Sequence, residues 1–148
     1  MTYQETKNYV SLFSSILIFG AYCLYLFQKY NEEILDSTAT LSFWGGSILI
    51  LILVSIVANI VITIVFIIIY RITTNEEEPA FADELDKLIE LKAIKISHYV
   101  FLLGFLLAMS SLAMDMPLSV TFILLIFSGF LAQLGNIVTQ LYHYRKGV

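Results

Sequence analysis

Residues 45–70 read GGSILILILVSIVANIVITIVFIIIY and decide the fold of this chain. The run contains no ionisable side chain apart from Tyr70 at its end. Its density of isoleucine and valine would favour a strand in water, but a segment this long in hydrocarbon must satisfy its backbone hydrogen bonds internally. We therefore predict a membrane-spanning helix, which is longer than a bilayer requires and is expected to tilt or to begin in the interface.

Three further apolar blocks flank this run and predict a single domain, residues 1–148, with four transmembrane helices. The alternative for the first block is a cleaved signal peptide, but its N-terminal region is weakly basic and no small-residue cleavage motif follows. Asp115-Met116-Pro117 between the last two blocks is short enough to require an antiparallel hairpin. The predicted spans are residues 10–27, 46–70, 97–114 and 118–142.

The composition excludes several classes of function. The chain is 59% hydrophobic and 14% charged, whereas soluble domains carry roughly 25% charged residues. No basic patch is rich enough to neutralise several phosphates, so nucleic acid is not an expected partner. The single cysteine, Cys23, allows no intramolecular disulfide and no thiolate pair. Zinc-protease, nucleophile-elbow and phosphate-loop motifs are absent, so an enzyme is the less favoured class and no cofactor is predicted.

The segment over residues 79–96 mixes polar and apolar residues between the second and third spans. Pro79 suits the first turn of a helix, and acidic residues precede lysines in the order that the helix dipole favours. We predict a cytoplasmic amphipathic helix that leads into the third span, with an apolar stripe at Phe81, Leu85, Leu88, Ile89, Lys92 and Ile96. The alternative is a helix that only packs on its neighbours or rests on the membrane. The candidate interaction residues are Asp83, Glu84, Asp86, Lys87, Glu90, Lys92 and Lys95.

The distribution of lysine and arginine predicts the orientation. The two termini and the central segment contain most of these residues, whereas the other two loops contain only Lys29 beside Glu32, Glu33, Asp36 and Asp115. The positive-inside rule then places both termini and the central helix in the cytoplasm. The expected location is therefore the inner (cell) membrane, with a multi-pass topology.

Polar side chains inside the spans form two stripes at helical spacing. Functionally, they would line a polar pathway or a small-ligand site. Alternatively, amides bond between helices and small residues let backbones approach. The candidate intramembrane residues are Asn59, Thr63, Gln133, Asn136 and Gln140, with Ser55 and Gly129 beside them.

Two histidines flank the last two spans. An antiparallel hairpin would set His98 and His143 at a similar depth, where a metal or haem is conceivable. Lone interfacial histidines are more often aromatic belt residues, and no further ligands accompany them. No metal site is predicted.

The stretch Asp83-Glu84-Leu85-Asp86-Lys87-Leu88-Ile89-Glu90-Leu91-Lys92 resembles the central loop of small, uncharacterised prokaryotic four-span membrane proteins. Those proteins carry an Asp-Glu-Arg-Asp-like motif, then Leu-Ile-Glu, a basic residue and a Tyr-Tyr-Val-like start to the third span. Here Leu85 replaces the arginine and His98-Tyr99-Val100 replaces that start. The ending Gln140 to Gly147 is also similar to the family's aromatic-basic tail. The resemblance implies a topology and a bacterial or archaeal origin, and no reaction.

These observations favour a non-enzymatic integral membrane protein that interacts with or regulates a partner through its central helix. The alternative is a small oligomeric transporter or channel that uses the intramembrane polar stripe. An enzyme acting on lipid, with Asp86, Glu90 and His98 at the head-group level, is a third hypothesis. The candidate partners are the lipid bilayer, further copies of the chain and a protein at the cytoplasmic face.

Overall fold

The computed structural model describes residues 3–32, 37–75 and 84–146, and these residues form four α-helices. Each helix is long and apolar enough to cross a membrane, so the prediction of an all-α protein with four helices that can span a bilayer is confirmed. All four extend beyond the predicted hydrocarbon segments because a helix does not end where the apolar residues end. The helices are α1 (Tyr3–Glu32), α2 (Ser37–Thr74), α3 (Glu84–Ala113) and α4 (Leu118–Lys146).

The central segment forms the first turns of the helix that contains the third span. Residues 84–96 belong to the continuous helix α3, whereas residues 79–83, including Asp83, lie outside the described residues. The expected apolar stripe is not a single buried face: Ile89 is fully buried, but Leu85 and Leu88 are exposed. Leu91 and Ile94 put further exposed apolar side chains on other sides of the helix. The segment is therefore less amphipathic than the spacing suggested.

The helices pack in the order α3, α4, α1, α2, and each neighbour runs antiparallel to the next. A smaller contact joins α2 to α4, whereas no Cα atom of α2 lies within 8 Å of a Cα atom of α3 along their described residues. The bundle is consequently open on the side between α2 and α3. In the order of the chain, the molecule consists of two hairpins that meet where α1 packs on α4.

Small side chains let α3 and α4 approach closely. A Cβ atom added at Gly104 would lie 2.0 Å from Ser128 Oγ and 3.2 Å from Ser128 Cα. Nearer the turn, Ser111 Oγ lies 2.7 Å from Thr121 Oγ1. Such contacts are how helices associate in hydrocarbon, where no water drives apolar surfaces together. We call these residues the α3–α4 seam: Gly104, Ala108 and Ser111 of α3 with Thr121, Ser128 and Ala132 of α4.

The turn between α3 and α4 is the short hairpin that the sequence predicts. Asp115 adopts a left-handed backbone with φ 56°. Its N–H donates to the carbonyl of Leu112 at 3.1 Å, and the Met116 N–H donates to the carbonyl of Ser111 at 3.1 Å. This is the Schellman ending of a helix, and the proline that follows it prevents α3 from continuing.

At one end of the α1–α2 hairpin, an aromatic cluster joins the two helices. Trp44 is 3% exposed and packs in a core cluster with Tyr22, Leu26 and Ile126. The Tyr22 hydroxyl donates a hydrogen bond of 2.5 Å to the backbone carbonyl of Ser47. Trp44 is thus a packing residue between the helices.

At the opposite end, the first residue of α1 contacts the last turns of α2. The Tyr3 ring lies 5.4 Å from the ring of Phe66 and 4.9 Å from the ring of Tyr70, between centroids. Aromatic pairs at these separations attract each other beyond the area that they bury. The α1–α2 hairpin is thus joined near both ends.

Candidate intramembrane site

A cavity of about 520 Å³ lies between α1, α2 and α4, in the stretch between the two aromatic end contacts. This volume is within the range of roughly 300–1,000 Å³ that small-molecule sites occupy. α1 and α4 form one wall, and α2 forms the opposite wall from Ile48 to Asn59. Phe101 of α3 also lines it, near the open side of the bundle.

Hydrogen-bonding groups face the cavity from three helices. The Gln133 amide donates to Ser15 Oγ at 3.1 Å, which joins α4 to α1. Ser55 and Asn59 line the cavity from α2. Among the described residues, neither side chain has a hydrogen-bond partner. Asn59 is exposed and Ser55 is half-buried. Because an amide in hydrocarbon without a hydrogen-bond partner costs free energy, both side chains would be stabilised by a polar group in the cavity.

The polar groups lie near the middle of their spans. Asn59 lies 18 residues after Leu41 and 15 before Thr74, which bound the candidate span of α2. Gln133 lies 15 residues after Leu118 and 13 before Lys146. Water is scarce at this depth of a bilayer, so a hydrogen bond made here has little competition from solvent.

The remaining walls are apolar and aromatic. The rings of Phe19 and Phe130 stack at 3.9 Å between centroids with 3° between their planes. Phe127 meets the edge of Phe19 at 5.3 Å. No residue that lines the cavity is ionisable, in the part of the chain that the structure describes. The site can hold an uncharged molecule by packing and hydrogen bonds, but it offers no acid, base or nucleophile pair.

The predicted intramembrane residues are divided between two environments. Asn59 and Gln133 share the cavity, together with Ser55 and Gly129. Asn136 and Gln140 instead bond to each other within α4, with 2.7 Å between the Gln140 amide nitrogen and the Asn136 carbonyl oxygen. Thr63 is half-buried on α2 and is not part of the cavity wall. The residue that the sequence analysis missed is Ser15, which is buried and bonds to Gln133.

The antiparallel packing brings seven of the eight lysine and arginine residues to one end of the bundle. At this end the Arg145 guanidinium donates to the Tyr9 hydroxyl at 3.3 Å, and Lys146 Nζ donates to the Tyr142 hydroxyl at 3.0 Å. At the other end, Lys29 Nζ lies 5.9 Å from the centre of the Phe43 ring. The basic end comprises Lys7, Arg71, Lys87, Lys92, Lys95, Arg145 and Lys146.

The candidate interaction residues that the structure describes lie on the first turns of α3, at the basic end. Most of them are exposed, and two are half-buried. Asp83 lies outside the described residues. The exposed members are Glu84, Lys87, Glu90 and Lys95, and the half-buried members are Asp86 and Lys92.

The two histidines lie at different levels of the α3–α4 hairpin. Gly135 lies against Val100, and His143 is eight residues further along α4. The antiparallel register therefore places His143 near the level of Lys92, roughly 9 Å along the helix axis from His98. Among the described residues, no group of three or more metal-ligating side chains comes together.

Comparison of the chain with protein-family models, curated proteins and solved structures finds no match. Two features of the molecule itself are therefore the candidates for its function. One is the exposed beginning of α3 at the basic end, and the other is the cavity between α1, α2 and α4.

Proposed function

We propose that this chain is a non-enzymatic integral membrane protein that binds a protein partner through the first turns of α3. The observation that carries the proposal is the exposure of both charged and apolar side chains on this segment. Glu84, Lys87 and Glu90 are exposed beside Leu91 and Ile94, which are 64% and 50% exposed. An apolar centre flanked by charges of both signs is typical of a protein interface with a polar rim.

The position of this segment in the fold supports the same proposal. α3 packs along α4, and none of its Cα atoms lies within 8 Å of a Cα atom of α1 or α2 among the described residues. Most of the circumference of its first turns is therefore available. A partner that offers an apolar patch with flanking charges would bury Leu91 and Ile94 and pair with the neighbouring lysines and glutamates.

The proposed topology places this surface in the cytoplasm of a prokaryotic cell, with both termini on the same side of the inner membrane. The lysines and arginines of the basic end support this orientation, since cytoplasmic segments are enriched in both residues. The resemblance of residues 83–92 to the central loop of small prokaryotic four-span proteins supports the same assignment. A reporter fused after Val148 tests it and is expected to be active inside the cell.

Site-specific photo-cross-linking in native membranes tests the partner surface. Leu91 and Leu103 lie on the same helix and are 64% and 63% exposed, so they form a matched pair. A photoreactive residue at position 91 should capture a discrete protein, whereas one at position 103, within the span, should capture lipid. Lys87→Glu combined with Lys95→Glu should weaken the adduct, and Lys29→Glu at the opposite end should not. Lipid adducts alone at position 91 would refute the proposal.

A small oligomeric transporter or channel is a second candidate. The observation that favours it is the presence of Asn59 and Gln133 in one cavity at mid-span. The mutual hydrogen bond of Asn136 and Gln140 weakens it, because those amides are not turned to the same space. Flux through reconstituted protein that survives Asn59→Leu combined with Gln133→Leu would eliminate this candidate.

A further inference from the structure

We propose that the cavity between α1, α2 and α4 is a binding site for an uncharged, lipid-soluble molecule that carries a hydroxyl or carbonyl group on an apolar body. The site is separate from the α3 surface described above and uses none of the same residues. Either proposal can therefore fail without the other.

The polar groups define what the ligand must offer. The Asn59 amide provides donors and an acceptor, and the Ser55 hydroxyl provides a donor. Neither has a hydrogen-bond partner among the described residues. On the facing wall, the Gln133 amide nitrogen bonds to Ser15, and no described residue donates to its carbonyl oxygen. A hydroxyl group on a ligand can donate to the Gln133 carbonyl oxygen or accept from the Asn59 amide, and a carbonyl group can accept from Asn59 or Ser55.

The walls define the remainder of the ligand. The lining contains no ionisable side chain, so a charged ligand would have no counter-charge at mid-span. Its other surfaces are aliphatic side chains and the stacked rings of Phe19 and Phe130. These surfaces favour an apolar body, which gains contacts with the walls that a water molecule would not make.

The open side of the bundle provides access from the bilayer. α2 contacts α1 and α4 but not α3 along the described residues, and Phe101 of α3 lines the cavity beside that opening. A molecule dissolved in the hydrocarbon therefore reaches Asn59 without crossing the aqueous phase. This geometry distinguishes a lipid-soluble ligand from a water-soluble one.

Photolabelling of the full-length protein in lipid nanodiscs tests the proposal with two probes. The first is dodecanol with a diazirine on its chain, and the second is dodecane with the same diazirine. The alcohol is expected to label the cavity-lining parts of α2 and α4. Excess unlabelled dodecanol should compete with this labelling and excess dodecane should not, a comparison that uses only the unaltered protein.

Two glycines provide a matched pair of variants. A Cβ atom at Gly129, which lines the cavity, meets nothing within 4 Å, and the same is true at Gly20, which is exposed elsewhere on α1. Gly129→Leu should fill the cavity and reduce alcohol labelling about tenfold or more, while Gly20→Leu leaves it unchanged. Asn59→Leu should reduce labelling by the alcohol and not by the alkane.

Four outcomes would overturn the proposal. In the first, Gly129→Leu does not reduce labelling by the alcohol. In the second, the alcohol and the alkane label the protein equally, and Asn59→Leu changes neither. The other two use Asn59→Cys in a Cys23→Ala background. Reaction of that thiol with a charged, membrane-impermeant maleimide would show a water-filled pathway. Disulfide formation between two copies would show that a second chain covers Asn59.

Discussion

In the α3–α4 hairpin, the two backbones approach closely at Gly104 and Ser128. In the α1–α2 hairpin, aromatic contacts join the helices towards both ends, and a cavity of about 520 Å³ separates them in between. All four helices are apolar enough to cross a membrane, and α2, the most apolar of them, belongs to the hairpin that contains the cavity. The difference teaches that apolarity does not close a helix pair inside a membrane, because lipid tails are as apolar as the side chains.

Side-chain size decides which pair closes. The seam of α3 and α4 consists of glycine, alanine, serine and threonine, which let the backbones interact through many short contacts. The wall of α2 at the cavity consists mainly of isoleucine and leucine, with Ser55 and Asn59 among them. Branched side chains hold α2 away from α1 and α4 and leave space that the amides face.

The largest expected effect comes from breaking the seam at its closest point. Gly104→Ala should lower the free energy of unfolding by about 1–3 kcal/mol, because the new Cβ would overlap Ser128 and force the helices apart. Equilibrium unfolding in mixed micelles with increasing dodecyl sulfate measures it. Gly20→Ala is the control, since its Cβ meets nothing within 4 Å. Combining Gly104→Ala with Ser128→Gly should restore much of the lost stability. Equal stability of Gly104→Ala and Gly20→Ala would contradict a close approach of α3 and α4 at the α3–α4 seam.

The next effect tests the end contact of the α1–α2 hairpin. Tyr22→Phe should lower the free energy of unfolding by about 1 kcal/mol, because it removes a buried hydrogen bond to the Ser47 carbonyl. Tyr25→Phe is a matched control, since Tyr25 is 55% exposed and has no hydrogen-bond partner among the described residues. Indistinguishable stabilities of these two variants would show that the bond does not hold α1 against α2.

A smaller effect concerns the hydroxyl pair of the seam. Ser111 donates to the carbonyl of Ala108 at 2.6 Å, so the Thr121 hydroxyl is the donor to Ser111 Oγ. A double-mutant cycle with Ser111→Ala and Thr121→Val should give a coupling free energy of about 0.6 kcal/mol, which is typical for hydrogen bonds between membrane helices. Strict additivity of the two losses would mean that packing alone closes this end of the hairpin.

The smallest expected effect tests how much the turn, as distinct from the α3–α4 seam, contributes to stability. Asp115→Gly should change the free energy of unfolding by no more than about 0.5 kcal/mol, since relief of the left-handed backbone at φ 56° is offset by the greater freedom of glycine in the unfolded chain. Asp115→Asn, which also tolerates this backbone, controls for the lost charge. If Asp115→Gly lowered the free energy of unfolding as much as Gly104→Ala does, the turn rather than the α3–α4 seam would hold this hairpin together.

Part of this architecture could be read from local sequence. The uncharged run over residues 45–70 required a helix, and Asp115-Met116-Pro117 required a tight hairpin. The seam also had a signal, because Gly104, Ala108 and Ser111 recur at four- and three-residue steps, a spacing that puts small residues on one helix face. The amphipathic interpretation of residues 79–96 was weaker, since spacing identified one apolar stripe but not the exposed Leu91 and Ile94 outside it.

Only part of the candidate site could be predicted from the sequence. Asn59 and Gln133 were identified as polar residues inside spans, but nothing local shows that they share a cavity or that Ser15 bonds to Gln133. Asn136 has the same residue chemistry as Asn59 and bonds within its own helix instead. The rotation of each helix about its axis separates these cases, and that rotation depends on every neighbour with which the helix packs.

The sequence by itself determined four helices that are long and apolar enough to cross a membrane, because backbone hydrogen bonding in hydrocarbon allows an uninterrupted apolar run few other conformations. It also determined that seven of eight lysines and arginines gather at one end, since consecutive spans alternate in direction. Tertiary structure alone decided which helices touch, which side of the bundle stays open and which amides face the cavity. Those outcomes depend on the fit of side-chain volumes across several helices, a property that belongs to no single segment of the chain.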